Sequence, residues 1–144
     1  MSKPMIRPGC SVLLVVEDDE ALLCILGEVL AEEGLRVSPA RNGAEALAVC
    51  RDNADDSCLA VLDVMLPGMD GLAIACELRK IKDNIRFIFM SGYGTEEITQ
   101  MGMSIGTIPH AEFFQKPFVF EDMKDRIRAL VREDPTAPGI QNPG

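Results

Sequence analysis

Leu59-Ala60-Val61-Leu62-Asp63-Val64-Met65-Leu66-Pro67-Gly68-Met69-Asp70-Gly71 is the stretch that decides the fold. Four apolar residues in a row, ended by an acid and a Pro/Gly loop, read as a buried strand. Its last residue is then a carboxylate at the rim of a sheet. Asp70 stands where a helix N-cap is favoured, so a helix over 71–81 follows, with Ile74, Leu78 and Ile81 facing inward. Two more apolar runs end in charge. Val12-Leu13-Leu14-Val15-Val16 runs into Glu17-Asp18-Asp19, and Phe113-Phe114-Gln115 runs into Lys116.

The same strand–helix unit recurs outward from this stretch. Strands are expected over 11–16, 35–38, 58–62, 85–90 and 111–115, the second short and at an edge. Helices are expected over 20–33, 43–52, 71–81 and 119–132, with a further one opened by Thr95 as N-cap and Glu96-Glu97 in its first turn. Leu22, Ile25, Leu26, Val29 and Leu30 fall at helical spacing on the first helix, which Gly34 stops. Asn42 and Glu45 resemble a capping pair for the second. The fourth helix is the weakest: Gly102 and Gly106 interrupt it, at about 1 kcal/mol each relative to alanine. In the last helix Phe120, Met123, Ile127, Leu130 and Val131 share a face, and Val119 sits where a polar cap would be favoured.

Five such units imply an α/β fold: a doubly wound five-stranded parallel sheet, strand order 2-1-3-4-5, of the flavodoxin-like (βα)5 type. Its switch point lies between strands 1 and 3, and ligands bind there, outside the carboxyl ends of the strands. Glu17, Asp18 and Asp63 sit at those ends, Ser91 ends strand 4 and Lys116 ends strand 5. Clustered carboxylates at a strand rim suggest a divalent metal, and a lysine beside them suggests a phosphoryl group.

Composition narrows the function. With 144 residues one domain is expected, divided into an N-terminal extension over 1–10, the folded unit over 11–132 and a Pro/Gly-rich flexible tail over 133–144. A formal net charge of −9 argues against direct nucleic-acid binding. No apolar run approaches the ~20 residues that span a bilayer, and the start lacks a signal-peptide stretch, so a cytoplasmic protein is expected. The five cysteines form no C-x-x-C pair and read as reduced, buried thiols.

Val16-Glu17-Asp18-Asp19, Asp63 with Met65-Leu66-Pro67-Gly68-Met69-Asp70-Gly71, Met90-Ser91-Gly92-Tyr93 and Lys116-Pro117-Phe118 come in order, each at a strand end. Together they resemble the receiver domain of two-component response regulators, over roughly residues 11–132. The runs around Ser91 and Lys116 are similar to receivers of hybrid histidine kinases. The ends of the chain fit either an excised receiver or a single-domain regulator, with no room for an output domain after residue 132.

The resemblance implies a set of roles. Asp63 accepts a phosphoryl group from a phosphohistidine. Mg2+ binds through Asp18, through Glu17 by way of water, through Asp63 and through the backbone carbonyl of Met65. Lys116 and Ser91 contact the phosphoryl oxygens, and Ser91 and Phe113 form the switch. Met65 and Tyr93 flank the approach of water, and the Lys116–Pro117 bond is cis. The implied partner is a histidine kinase or histidine phosphotransfer protein, with room for a homodimer through helix 4, strand 5 and helix 5. The domain would be no enzyme beyond its own phosphotransfer and slow autodephosphorylation.

Plainer roles suffice for some residues. Asp19 reads as only the N-cap of the first helix, the lone His110 as a surface residue, and the methionines as core filler. A pseudo-receiver should have lost Asp63, Lys116 or the acidic pair, and all are present. A flavin carrier would need a Ser/Thr/Gly-rich loop where this chain has Glu17-Asp18-Asp19-Glu20, and an aspartate-dependent phosphatase would need an acid at Met65.

Overall fold

Each apolar run forms a strand, and each lies next to the neighbour that the order rule requires. The computed structural model describes residues 10–109 and 111–132. Residues 1–9 of the expected extension, His110 and the expected tail over 133–144 lie outside the described residues. In chain order the elements are β1 (Val12–Val16), α1 (Glu20–Ala31), β2 (Arg36–Ala40), α2 (Gly43–Asp52), β3 (Ser57–Asp63), α3 (Gly71–Ile81), β4 (Arg86–Ser91), α4 (Thr95–Gln100), a 3-10 turn (Ile105–Thr107), β5 (Ala111–Gln115) and α5 (Phe120–Arg132). The sheet is parallel throughout, in the order β2-β1-β3-β4-β5.

Every residue of β1, β3 and β4 is buried, as continuous apolar strands covered on both faces must be. The sheet divides the apolar interior in two. One cluster joins Leu13, Val15, Val61 and Met90 to α1 and α5; the other joins Leu14, Val16, Leu62 and Phe89 to α2, α3 and Ile98 of α4. Arg128 on α5 donates from Nε to Glu33 just past α1 at 2.8 Å, tying those two helices together.

Three expectations are corrected. On α1 the buried residues are Leu23, Leu26 and Leu30, whereas Ile25 is 45% exposed. The β2 strand runs through Pro39 to Ala40, because it is an edge strand, where a missing N–H is tolerated. The α4 helix has Gly94, not Thr95, as its N-cap, with the Glu97 carboxylate accepting from Gly94 N at 2.9 Å. It then stops after six residues, and Gly102 at φ +87° turns the chain away.

The other caps form as expected. Asp19 accepts from Ala21 N and Leu22 N, Asn42 from Glu45 N, and Asp70 from Ala73 N. The cysteine expectation holds only in part. Cys50 is a buried single thiol, but Cys24 and Cys76 are exposed, and Cys10 and Cys58 are joined as a disulfide.

Candidate functional site

Strand order brings the charged strand ends together. β1 and β3 pair through Val16 and Leu62, so Glu17 and Asp63 leave the sheet side by side. Glu17 N donates to the Ala40 carbonyl at 3.0 Å, which extends the β1–β2 ladder into the site and fixes Glu17 pointing inward, 1% exposed. Asp63 is also buried, at 5% exposure, whereas Asp18 is exposed.

Lys116 bridges the buried acids. Its Nζ donates to Glu17 Oε1 at 2.8 Å and to Asp63 Oδ2 at 2.7 Å. The other Asp63 oxygen, Oδ1, accepts from Met65 N at 2.8 Å, and Glu17 Oε2 accepts from Asp19 N at 3.2 Å. Both carboxylates are therefore held by donors on two sides, which fixes their orientation. Burial pushes the Glu17 carboxyl up to about 7; its bond from Lys116 works against this, and the neighbouring Asp63 adds to it. For Lys116 burial acts to lower the ammonium's pKa, but its bonds to Asp63 and Glu17 more than offset this and hold it above the ordinary range.

Ser91 is completely buried at the end of β4, and its Oγ accepts from Tyr93 N at 3.0 Å. Lys116 N donates to the Ser91 carbonyl at 2.7 Å, so the β4–β5 ladder carries the serine and lysine together to the rim. Phe113 is half-buried opposite Phe89, on the α4 side of the sheet, three residues before Lys116. Met65 and Tyr93 stand on the two rim loops, 41% and 43% exposed. The Lys116–Pro117 bond is cis.

Two features of the site are not legible from motifs. The Met65 amide anchors Asp63, a backbone role that any residue but proline could fill. Gly71 is the second: a Cβ there would overlap the Asp63 carbonyl oxygen, and its N–H donates to Val64 O at 2.8 Å. Only glycine lets α3 start that close to the strand end.

Glu17, Asp18 and Asp63 each offer a carboxylate oxygen within 4.8 Å of the others. Oxygen-only donors at that spacing suit a hard divalent cation. The arrangement has three chemical parts: a carboxylate able to act as nucleophile, a cation beside it for an anionic partner, and an acidic pocket that can hold a metal. Among the described residues no helix is long and apolar enough to cross a membrane.

The sequence matches the response regulator receiver domain family over residues 13–128. It is 34% identical over 116 residues to sporulation initiation phosphotransferase F of Bacillus subtilis (strain 168), covering 81% of this chain and 90% of that protein. It is 32% identical over 131 residues to response regulator MprA of Mycobacterium sp. (strain KMS), covering 91% of this chain but 55% of that protein. The chain therefore spans about half the length of that relative. The receiver domain from the hybrid histidine kinase CckA superposes with a TM-score of 0.70 at 26% identity, covering 83% of this chain and 98% of that one. A CheY-like receiver domain protein from Methanospirillum hungatei JF-1 superposes with a TM-score of 0.70, also at 26% identity, over 83% of this chain and 91% of that one.

Proposed function

From the premise that the chain belongs to the response regulator receiver domain family, we propose that it accepts a phosphoryl group on Asp63 and uses it to switch partner binding. The observation that carries this is the Lys116 ammonium, 2.7 Å from Asp63 and 2.8 Å from Glu17. A cation fixed against a buried nucleophile offsets the repulsion that an incoming anionic phosphoryl group would meet.

The donor is a phosphohistidine on a histidine kinase or a histidine phosphotransfer protein. An Asp63 oxygen attacks phosphorus, a P–O bond forms as the P–N bond breaks, and the imidazole leaves. Lys116 has three donors and uses two on the carboxylates, so it can turn one to a phosphoryl oxygen. Ser91 turns its hydroxyl from the Tyr93 amide toward the same oxygens. Mg2+ suits the Glu17, Asp18 and Asp63 oxygens with the Met65 carbonyl, and when bound it supplies positive charge to the phosphoryl oxygens. The domain turns over no external substrate and acts in the cytoplasm. Its output goes through helix α4, strand β5 and helix α5, to a partner protein or to a second copy in a homodimer.

Metal binding and phosphoryl uptake should fall together in Asp18→Ala, each by at least ~10-fold. Wild type incubated with a small acyl phosphate should gain one phosphoryl group by intact mass with magnesium, and none with a chelator. Calorimetry showing unchanged magnesium affinity in the variant would refute the ligand assignment. The same titration should depend on pH. Glu17 holds a proton up to about pH 7 in the free protein, against a usual carboxylate value of 4.5. Because its folded pKa is raised, a cation must displace that proton below pH 7 and need not above it. Apparent magnesium affinity should rise about tenfold from pH 6 to pH 8. A flat profile across that range would count against Glu17 as a ligand.

The switch has its own test. Movement of Ser91 toward the phosphoryl group opens space for Phe113 to turn inward, and α4, short and glycine-ended, yields with it. NMR shifts on phosphorylation should extend from Asp63 to Phe113 and residues 94–109. Shifts confined to the loop after Asp63 would rule the coupling out.

A further inference from the structure

The irregular pairing where β1 first meets β3 lies at the end of the sheet opposite the site. Val12 pairs with Ser57 but Leu13 pairs with Leu59, so the ladder passes over Cys58. Ser11 N and Val12 N both donate to the Asp56 carbonyl, at 2.9 and 3.0 Å. Bulges of this kind re-aim a side chain, and they are rare in parallel pairs. Here the re-aimed residue meets Cys10, which leads into β1. The Cα atoms are 4.9 Å apart, inside the span that a disulfide bridges, and the two sulfurs are joined. Both residues are nearly sealed, at 1% and 6% exposure, in the cluster beneath α1 and α5. Cys24, Cys50 and Cys76 remain single.

We propose that Cys10 and Cys58 form a thiol–disulfide exchange site, a staple that small disulfides close and small thiols open. In closing, the Cys10 thiolate attacks one sulfur of a small aliphatic disulfide, RSSR, and displaces one thiolate. Cys58 then attacks the Cys10 sulfur of the mixed disulfide and displaces the second. The two thiol protons pass to the departing thiolates, so two RSH leave for each RSSR consumed and the protein is oxidised by two electrons. Cys10 is the residue to react first. It stands outside the ladder, at the end of a strand, where local opening costs least, whereas Cys58 is inside β3. Burial of the joined pair slows both directions, so the staple responds to a sustained change in thiol balance rather than to a brief one.

Closing the bond links residues 48 apart in sequence, and the loop so formed contains β1, α1, β2 and α2. The acidic end of β1 is inside that loop. The oxidised protein is therefore the more stable one, and its β1–β3 ladder the less mobile.

The test uses the full chain, equilibrated with oxidised or with reduced glutathione, alkylated and mapped by mass spectrometry. After oxidation two thiols should resist alkylation, and the cross-linked peptides should contain Cys10 and Cys58. The melting temperature should be higher than that of the reduced protein by about 10 °C. The difference should vanish in Cys58→Ala and in Cys10→Ala. Should either variant fail to fold, wild type alone decides: amide exchange at Ser11, Val12 and Leu59 should be slower in the oxidised form. Five alkylatable cysteines after oxidation, or a bond mapped to Cys24 or Cys76, would overturn the site. A Cys10–Cys58 bond that reduced glutathione never opens in the folded protein would overturn the exchange role.

Discussion

Asp63→Asn is expected to reduce phosphoryl uptake by at least ~10³-fold while leaving the protein folded. The amide has the shape of the carboxylate but no nucleophilic anion. It offers one acceptor oxygen where Asp63 uses two, one for Met65 N and one for Lys116 Nζ. One of those donors is left facing an NH2 group, a local cost of about 1–3 kcal/mol. Lys116 keeps its bond to Glu17 Oε1, so the lysine stays in place. Intact mass after incubation with an acyl phosphate and magnesium measures the uptake, and a thermal melt controls for folding. Undiminished labelling in a folded Asn variant would show that another side chain is the acceptor.

The second large effect concerns how long the phosphoryl group stays. Loss requires a water molecule in line with the Asp63–phosphorus bond. Met65, two residues after Asp63, and Tyr93, two after Ser91, stand on the loops at either side of the site. A thioether neither donates a hydrogen bond nor accepts one strongly. Both side chains are bulky, and the Met65 thioether is not suited to orienting the attacking water. Replacing Met65 with Asn and Tyr93 with Glu introduces groups that can, and positioning of this kind is worth ~10²-fold in rate. The double variant should therefore lose its phosphoryl group ~10²-fold faster than wild type, whose phosphoryl state is expected to be long-lived, as a relay would require. Half-lives in magnesium buffer decide this. Decay within seconds in wild type, or equal half-lives, would sink it.

The strands and their order were legible because an apolar run that ends in charge has few places to go in a doubly wound sheet. The same rule gathers Glu17, Asp63, Ser91 and Lys116 at one rim. Orientation around a helix was less legible. On α1 the leucines, isoleucine and valine occupy positions 22, 23, 25, 26, 29 and 30, a stripe too wide to reveal its own centre. Packing against the sheet and α5 selected Leu23 and left Ile25 in solvent. The extent of β2 was misjudged because proline is penalised inside a sheet but not at an open edge. The bond from Lys116 to Glu17 joins residues 99 apart, and no local spacing encodes it. The Cys10–Cys58 pair was illegible for a similar reason: it depends on a one-residue slip in register.

Successive residues of a strand point to opposite faces of its sheet, so Phe113 and Phe114, adjacent in sequence, belong to different halves of the interior. Phe113 packs against the cluster that includes residues of α2, α3 and α4, whereas Phe114 packs against the cluster that includes residues of α1 and α5. A rearrangement of Phe113 acts first on the half that contains α4, and the sheet stands between it and the packing of Phe114. In evolutionary terms, the two halves can change their contacts separately. Substitutions on the α4 side can accumulate without repacking the cluster beneath α1 and α5, and the reverse holds for substitutions on the α1 side.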